Sequence, residues 1–467
     1  MSGGPAAARR RSVEQHRAEV LSLLAAVEHR IAAEGAERLP VDDPGLLGQV
    51  TAETLSTDGP LPPFDNSQMD GYAVIAAELA AASAEHPVRL RLGRATAAGA
   101  APLAHEPGSA SPVMTGAPLP LGADAVVPVE RTLPPRFPAL SRAGGPAPDR
   151  DAEVAFAEPS AAGRFVRRAG EDLPAGSPVL DPGTRLTAAR IGLIAAAGIA
   201  EVPVRRSVRV LLCSTGDELA ERSAGGDGGS GDAPLRAGLI HDANTPMLAA
   251  ALRAAGASVG TLRTGDTPER FRAALAEAAP GHDLVVTTGG ISAGAFEVVR
   301  EALSPLGVRF APIAMQPGGP QGLGTLGALA GADRGGAVGD AAPGGAPGAA
   351  AAPGGAAAGI PVLCFPGNPV SALVSAEMFL LPELRRLAGL PAERRRERRP
   401  LAHAVEKPAE KHQVRRGRID ADGRVSLSAP GSHLLADLAA AELLAQLPPG
   451  PAELAENTPV EIWRIDD

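Results

Sequence analysis

The sequence predicts a multidomain α/β protein centred on a parallel-rich sheet. Three observations lead there. Four short apolar runs each end in a loop of hydroxyls, glycines and acids; helix-like segments follow them; and 467 residues exceed what one hydrophobic core supports. The runs are Val208 to Leu212 before Ser214-Thr-Gly-Asp-Glu218, Val259 to Arg263 before Thr264-Gly-Asp266, Asp283 to Val286 before Thr287-Thr-Gly-Gly290, and Val362 to Phe365 before Pro366-Gly-Asn-Pro369. An apolar run without polar alternation reads as a strand buried on both faces. In an open parallel sheet all four loops fall on the carboxyl edge, where ligands bind. Backbone N–H groups at such strand-to-helix junctions suit an anion.

Taken in order, Ser12 to Gly35 places Val13, Val20, Leu24, Val27 and Ile31 at helical spacing, with Ser12 as N-cap and Gly35 as stop. Leu46 to Thr54 suggests a shorter helix. From Phe64 to about residue 155 the pattern is β-like, so residues 60–155 are expected to form a β-rich domain inserted between 12–59 and 156–206. Thr187 caps a helix reaching Gly198. Beyond residue 207 strand and helix alternate: helices are predicted at Asn244 to Ala255, Phe271 to Ala279 and Val370 to Leu387, the last bent or broken by Pro382. This third domain is expected over 207–392. Residues 223–238 and 324–359, rich in Gly, Ala and Pro, read as mobile insertions. Arg394 to Arg399 reads as an exposed linker, and 400–467 as a small β-barrel or sandwich.

Composition excludes several classes. A net charge of -9 and a pI near 5.6 argue against a nucleic-acid binder, which is usually basic. Aromatics are 2% of the chain, leaving little with which to stack bases. No apolar stretch suffices to span a bilayer, and no export signal follows the basic start, so the cytoplasm is the expected compartment. Cys213 and Cys364 sit in apolar runs and read as buried thiols. Neither GxGxxG nor a P-loop follows a suitable strand.

Individual motifs carry modest signals. Asp65, Asp70 and their amide and hydroxyl neighbours share one loop suited to orienting a ligand or Mg²⁺, or simply to forming a turn. Arg167-Arg168 beside Glu171-Asp172 suits either an internal ion-pair cluster or a phosphate clamp. Ser214-Thr-Gly-Asp-Glu218 and Asp266 lie where acids favour helix starts in any case. His241-Asp-Ala-Asn244 lacks a second metal-ligand partner and reads as a solvated loop.

Read jointly, six blocks resemble the MoeA family of molybdopterin molybdenumtransferases, which includes the gephyrin E domain. They are Phe64 to Val74, Met114 to Val127, Val166 to Asp172, Ser214 to Leu219, Thr288 to Gly294 and Phe365 to Ala372. The resemblance implies an elongated first domain, the inserted β-rich domain, a central α/β domain of molybdopterin-binding type and a C-terminal β-barrel. It implies a homodimer with its cleft shared between subunits, acting alongside other molybdenum cofactor biosynthesis proteins. The reaction implied uses Mg²⁺: molybdenum from molybdate enters adenylylated molybdopterin and AMP leaves. By position, the resemblance makes Asp70, Asp172, Glu218 and Asp266 catalytic, with Asp266 and Glu297 as metal ligands. Substrate contacts fall to Thr115, Arg168, Ser214, Thr215, Thr288, Gly289, Gly290, Ser292, Glu297, Pro366 and Pro369. Arg416 and Ser432 match positions that reach the partner's cleft.

The chain also departs from the family. Where the family reads Ser-Val-Gly-Glu-x-Asp-Tyr, this chain has Ser292-Ala-Gly-Ala-Phe-Glu-Val298; where it reads Lys-Pro-Gly-Lys-Pro, Gln316 and Gly319 replace both lysines. Each lost charge-assisted contact is worth roughly 1.5–3 kcal/mol. The departures define an alternative, a diverged non-catalytic paralogue serving as a pterin-binding or protein-binding scaffold. A third reading, a nucleotide-processing enzyme sharing only the α/β domain, conflicts with the blocks outside that domain.

Overall fold

The computed structural model describes residues 10–97, 99, 101–137, 152–216, 219, 237–265, 267–292, 297–327 and 359–466. They form two compact units: Arg38–Pro203, and the residues up to Glu37 together with those from Val204 onward.

The larger unit is built on a six-stranded sheet. Its strands are β1 (Arg209–Thr215), β2 (Ser258–Thr264), β3 (Leu284–Thr288), β4 (Arg309–Pro312), β5 (Pro320–Leu326) and β6 (Ile360–Phe365), in the spatial order β2-β1-β3-β6-β5-β4. Strands β2, β1, β3 and β6 run parallel. β5 runs antiparallel to β6 and β4 antiparallel to β5, so the sheet is mixed at that edge. Every residue of β3 is buried, which explains its unbroken Val and Thr sequence.

Helices cover both faces: α1 (Val13–Glu34), α2 (Asn244–Ala254), α3 (Pro268–Ala278), α4 (Val298–Leu303), α5 (Pro369–Phe379) and α6 (Leu381–Leu387). One core joins α1, α2, α5 and α6 to a sheet face through Val20, Leu248, Val374 and Leu384; the other joins α3 and α4 through Phe271 and Val299. Ser12 caps α1 in a capping box with Gln15, and Gly35 ends it at φ 76°. The sequence grouped this helix with residues up to 59, but its apolar stripe belongs to the central core. Val20, Leu24 and Val27 are wholly buried there, each worth about 1.5–3 kcal/mol. The break foreseen at Pro382 falls at Leu380, between α5 and α6.

At the amino edge of the sheet the buried Asp283 carboxylate receives the Arg209 backbone N–H at 2.9 Å and its guanidinium at 2.8 and 3.0 Å. Burial alone would raise this carboxyl's pKa; the Arg209 hydrogen bonds and the neighbouring Arg206 charge outweigh it and hold it low.

The C-terminal strands form a barrel-like sheet. Arg396–Pro400, Pro459–Arg464, Leu443–Leu447, His412–Ile419 and Val425–Leu427 pair in that order, and a bridge from Leu401 to Val425 nearly closes the ring. This corrects the reading of Arg394 to Arg399 as a linker. Arg396–Pro400 is a paired strand, and Arg394 binds the buried Glu377 at 2.9 Å.

Two further expectations fail. Leu46 to Thr54 is not a helix; only the 3-10 turn Pro44–Leu46 forms, capped by Asp43. Residues 324–326, assigned to a mobile insertion, complete β5, where Thr325 and Leu326 pair with Pro361 and Ile360. Residues 328–358, and 223–236 of the other insertion, lie outside the described residues.

In Arg38–Pro203 a six-stranded sheet contains Gly71–Val74, Ser109–Val113 and Ala125–Pro128, with Tyr72 and Phe156 in its core. The helix capped by Thr187 spans Ala188–Ala196. Among the described residues no helix is long and apolar enough to cross a membrane.

Candidate active site

In the larger unit, the loops leaving β1, β3 and β6 meet at the carboxyl edge. Register places Ser214 beside Thr288, and Thr288 beside Phe365. The Gly289 N–H donates to the Phe365 carbonyl at 3.1 Å, and the Thr288 hydroxyl donates to the Pro366 carbonyl at 3.3 Å. Gly289 and Gly290 both have positive φ, at 90° and 61°. A Cβ on Gly290 would lie 2.9 Å from the Val299 nitrogen, so this turn admits no side chain. The bare backbone thus approaches α4 closely, and the Arg300 N–H donates to the Gly290 carbonyl at 3.0 Å.

Asn244, the first residue of α2, ties two of these loops together. Its Nδ2 donates to Thr288 Oγ1 at 3.0 Å and to the Gly367 carbonyl at 2.6 Å. The sequence reading gave this residue no role; an Asn opening a helix that faces two glycine loops was the available signal. Asp242 accepts from the Thr245 N–H at 3.0 Å and from Ser214 Oγ at 3.3 Å, anchoring the start of α2 to β1. His241 is exposed.

Glu297 folds back onto the glycine loop. One carboxylate oxygen accepts the Ser292 N–H at 2.7 Å and the other accepts the Ser292 hydroxyl. Pro366 and Pro369 flank Gly367 and Asn368, and Asn368 Nδ2 donates to Ser432 Oγ at 3.1 Å, joining the C-terminal sheet to this edge within one chain. Arg416 is 2% exposed and donates to the Ala429 carbonyl at 2.5 Å; burial lowers its pKa. Gln316 accepts from Gln413 Nε2 at 3.1 Å. Glu218 and Asp266 lie outside the described residues, as does 293–296.

In the smaller unit, segments 61–70, 114–119 and 165–173 are laced together. Ser67 pairs with Val166, Asn66 with Arg167, and Leu61 with Leu173. Asp70 Oδ1 accepts both the N–H and the hydroxyl of Thr115, at 2.7 and 2.9 Å. Arg168 pairs with Asp65 at 2.7 Å, and its backbone N–H donates to Glu171. The ion pair Arg168 makes is with Asp65, a residue outside the Glu171-Asp172 cluster that the sequence suggested. The Ala169 N–H bonded to Asp65, aided by Arg168, keeps that carboxyl's pKa low. Asp172 is exposed, its N–H bonded to the Leu61 carbonyl.

No cluster of three His, Cys, Asp or Glu residues arranged for a metal ion occurs among the described residues. Of the two Mg²⁺ ligands expected, Glu297 has both oxygens turned to Ser292 and Asp266 is not described. The described residues therefore do not assemble a Mg²⁺ site. Cys213 and Cys364 are buried free thiols, the latter's pKa pushed up to about 12 by burial.

Comparison with known proteins agrees with this architecture. Residues 11–198 match the family model for the MoeA N-terminal region, domains I and II, and residues 212–386 match that for a probable molybdopterin binding domain. Molybdopterin molybdenumtransferase 2 of Mycobacterium tuberculosis is 40% identical over 417 residues, covering 87% of this chain and 89% of its own. The molybdopterin molybdenumtransferase of Synechococcus elongatus is 34% identical over 456 residues, covering 95% and 99%. Among solved structures, the molybdopterin biosynthesis MoeA protein of Pyrococcus horikoshii superposes with a TM-score of 0.64 at 26% identity, covering 95% of this chain and 98% of its own. The chain belongs to the MoeA family of molybdopterin molybdenumtransferases.

Proposed function

We propose that this protein inserts molybdenum from molybdate into adenylylated molybdopterin and releases AMP, a step of molybdenum cofactor biosynthesis. The observation that carries the reading is the convergence of Thr215, Asn244, Thr288-Gly289-Gly290 and Gly367 at one sheet edge. Glycine-rich loops at strand-to-helix junctions, with no side chain between backbone and ligand, suit a phosphorylated ligand and an oxyanion. Asp70, held by Thr115, and Asp172 are the described carboxylates assigned to chemistry, with Glu218 and Asp266 as their counterparts in the larger unit. Thr288, Ser292, Pro366 and Pro369 bind and orient substrate. The proposed reaction requires Mg²⁺. A cytoplasmic homodimer sharing residues between subunits completes the reading.

Similarity to transferases along nearly the whole chain favours the enzyme over the non-catalytic scaffold. Purified protein supplied with adenylylated molybdopterin, molybdate and Mg²⁺ is expected to release AMP, and Asp266→Ala to abolish release. Tight ligand binding without AMP would replace the enzyme with the scaffold.

A further inference from the structure

The glycine loop after β3 is fastened to α4 chiefly by one residue. Arg300, the third residue of α4, donates its backbone N–H to the Gly290 carbonyl at 3.0 Å and its Nη2 to the Ile291 carbonyl at 2.8 Å. A planar trans peptide carries its N–H on the side opposite its carbonyl. The grip on Gly290 therefore turns the Ile291 N–H away from the Arg300 backbone. The grip on Ile291 likewise turns the Ser292 N–H away from the guanidinium, and that N–H meets a Glu297 carboxylate oxygen at 2.7 Å. Two consecutive peptide planes of the loop are thus set by Arg300.

The guanidinium is itself held in place. Its central carbon lies 5.2 Å from the centre of the Phe310 ring, within cation–π range. Phe310 stands on β4 opposite Gly322 of β5, where a Cβ would approach the ring to 2.5 Å. The bare backbone at 322 admits the ring, so Gly322, Phe310 and Arg300 form a stack from the antiparallel edge of the sheet to the glycine loop.

The charge is a second, independent observation. Arg300 is half-buried, pairs with no carboxylate among the described residues, and keeps its Nε buried without a partner there. A partly buried cation without a counter-ion is unfavourable in the free protein and is compensated when an anion arrives nearby.

We infer that Arg300 is a positioning residue for the substrate. It fixes the peptide planes of residues 290–292 and sets an uncompensated positive charge against the loop that receives the ligand's anionic end, while Phe310 keeps the guanidinium in its plane. The inference rests on the assignment of the glycine loop to substrate above; the grip and the stack do not.

The test is equilibrium titration of adenylylated molybdopterin into the full chain, without molybdate or Mg²⁺ so that no turnover occurs. Arg300→Met is expected to bind at least about tenfold more weakly, since it loses a charge-assisted contact and the charge together. Arg300→Lys keeps the charge but not the planar fork, and Phe310→Leu removes the ring; each should lose about threefold. Amide hydrogen exchange in the ligand-free Arg300→Met protein should quicken about tenfold at residues 289–292 and stay unchanged in β3. Equal loosening of both segments would mean that Arg300 merely stabilises the fold and would overturn the inference, as would affinity within twofold of wild type in Arg300→Met. Should that variant fail to fold, unchanged affinity in both Arg300→Lys and Phe310→Leu overturns it. The two readings fail separately. Arginine-dependent binding without AMP release once molybdate and Mg²⁺ are added would refute the reaction and leave the positioning role; AMP release with affinity indifferent to Arg300 would do the reverse. Absence of saturable binding to the wild type would overturn both.

Discussion

Asn244→Ala tests whether the carboxyl edge works as one assembled site. The substitution deletes the donor to the Gly367 carbonyl at 2.6 Å and to Thr288 Oγ1 at 3.0 Å. Gly367 is exposed and water replaces its lost partner; Thr288 is 2% exposed, but its hydroxyl keeps its bond to Pro366. The global cost is therefore about 1–2 kcal/mol, near the net worth of two ordinary hydrogen bonds. The functional cost should be larger. Without this clamp the β3 and β6 loops are joined by the Gly289 N–H bond to the Phe365 carbonyl and the Thr288 hydroxyl bond to the Pro366 carbonyl, a looser tie, and an ångström of misplacement costs roughly a hundredfold. We expect KM for adenylylated molybdopterin to rise about tenfold to a hundredfold, measured by AMP release, with the urea midpoint shifted only slightly. Asn244→Asp keeps the shape but donates nothing, and should behave as the alanine variant does. A wild-type KM in either variant, or equal damage to stability and activity, would refute the reasoning.

Other outcomes follow from the same geometry. His16, 1% exposed against Phe379, has its pKa lowered to about 4, first by burial and then by Arg11. Because its folded pKa lies below the unfolded value of about 6.5, its stability contribution is complete above pH 6.5 and falls as the pH drops toward 4. The loss is about 3 kcal/mol, and His16→Leu should flatten that part of the urea-midpoint profile. Gln316→Lys with Gly319→Lys should tighten ligand binding by tenfold or more. A Cβ at Gly319 meets only ordinary contacts at 3.5 Å, so the backbone accepts a side chain there, and unchanged affinity would mean the phosphates are held elsewhere. Mixing Asp70→Ala protein with Gly290→Val protein should restore part of the AMP release if subunits share the cleft; additive inactivity would contradict a shared site.

Legibility in the sequence followed how local the determining physics is. The carboxyl edge was readable because a doubly buried strand must be continuously apolar and its loop must carry the glycines that permit positive φ. β3 with Gly289 and Gly290 satisfies both conditions within seven residues. The Ser12 cap and the break near Pro382 are equally local. By contrast, Arg394 to Arg399 looks like a solvated run because its partners are remote: Glu377 sits on α5, and residues 459–463 supply the strand that pairs with it. Thr325 and Leu326 were lost in a glycine-rich stretch because only pairing with β6, across the insertion, gives them a register. Asn244 was missed for the same reason, since its two acceptors lie 44 and 123 residues downstream. In a parallel sheet the residues that complete a site come from successive crossovers. Sequence therefore exposes the loops that each crossover presents and hides the side chains that bind one loop to the next. Variants at Asn244, Asp242 and Ser214 are thus more informative about the assembled edge than further changes to the glycines already marked by their own strand.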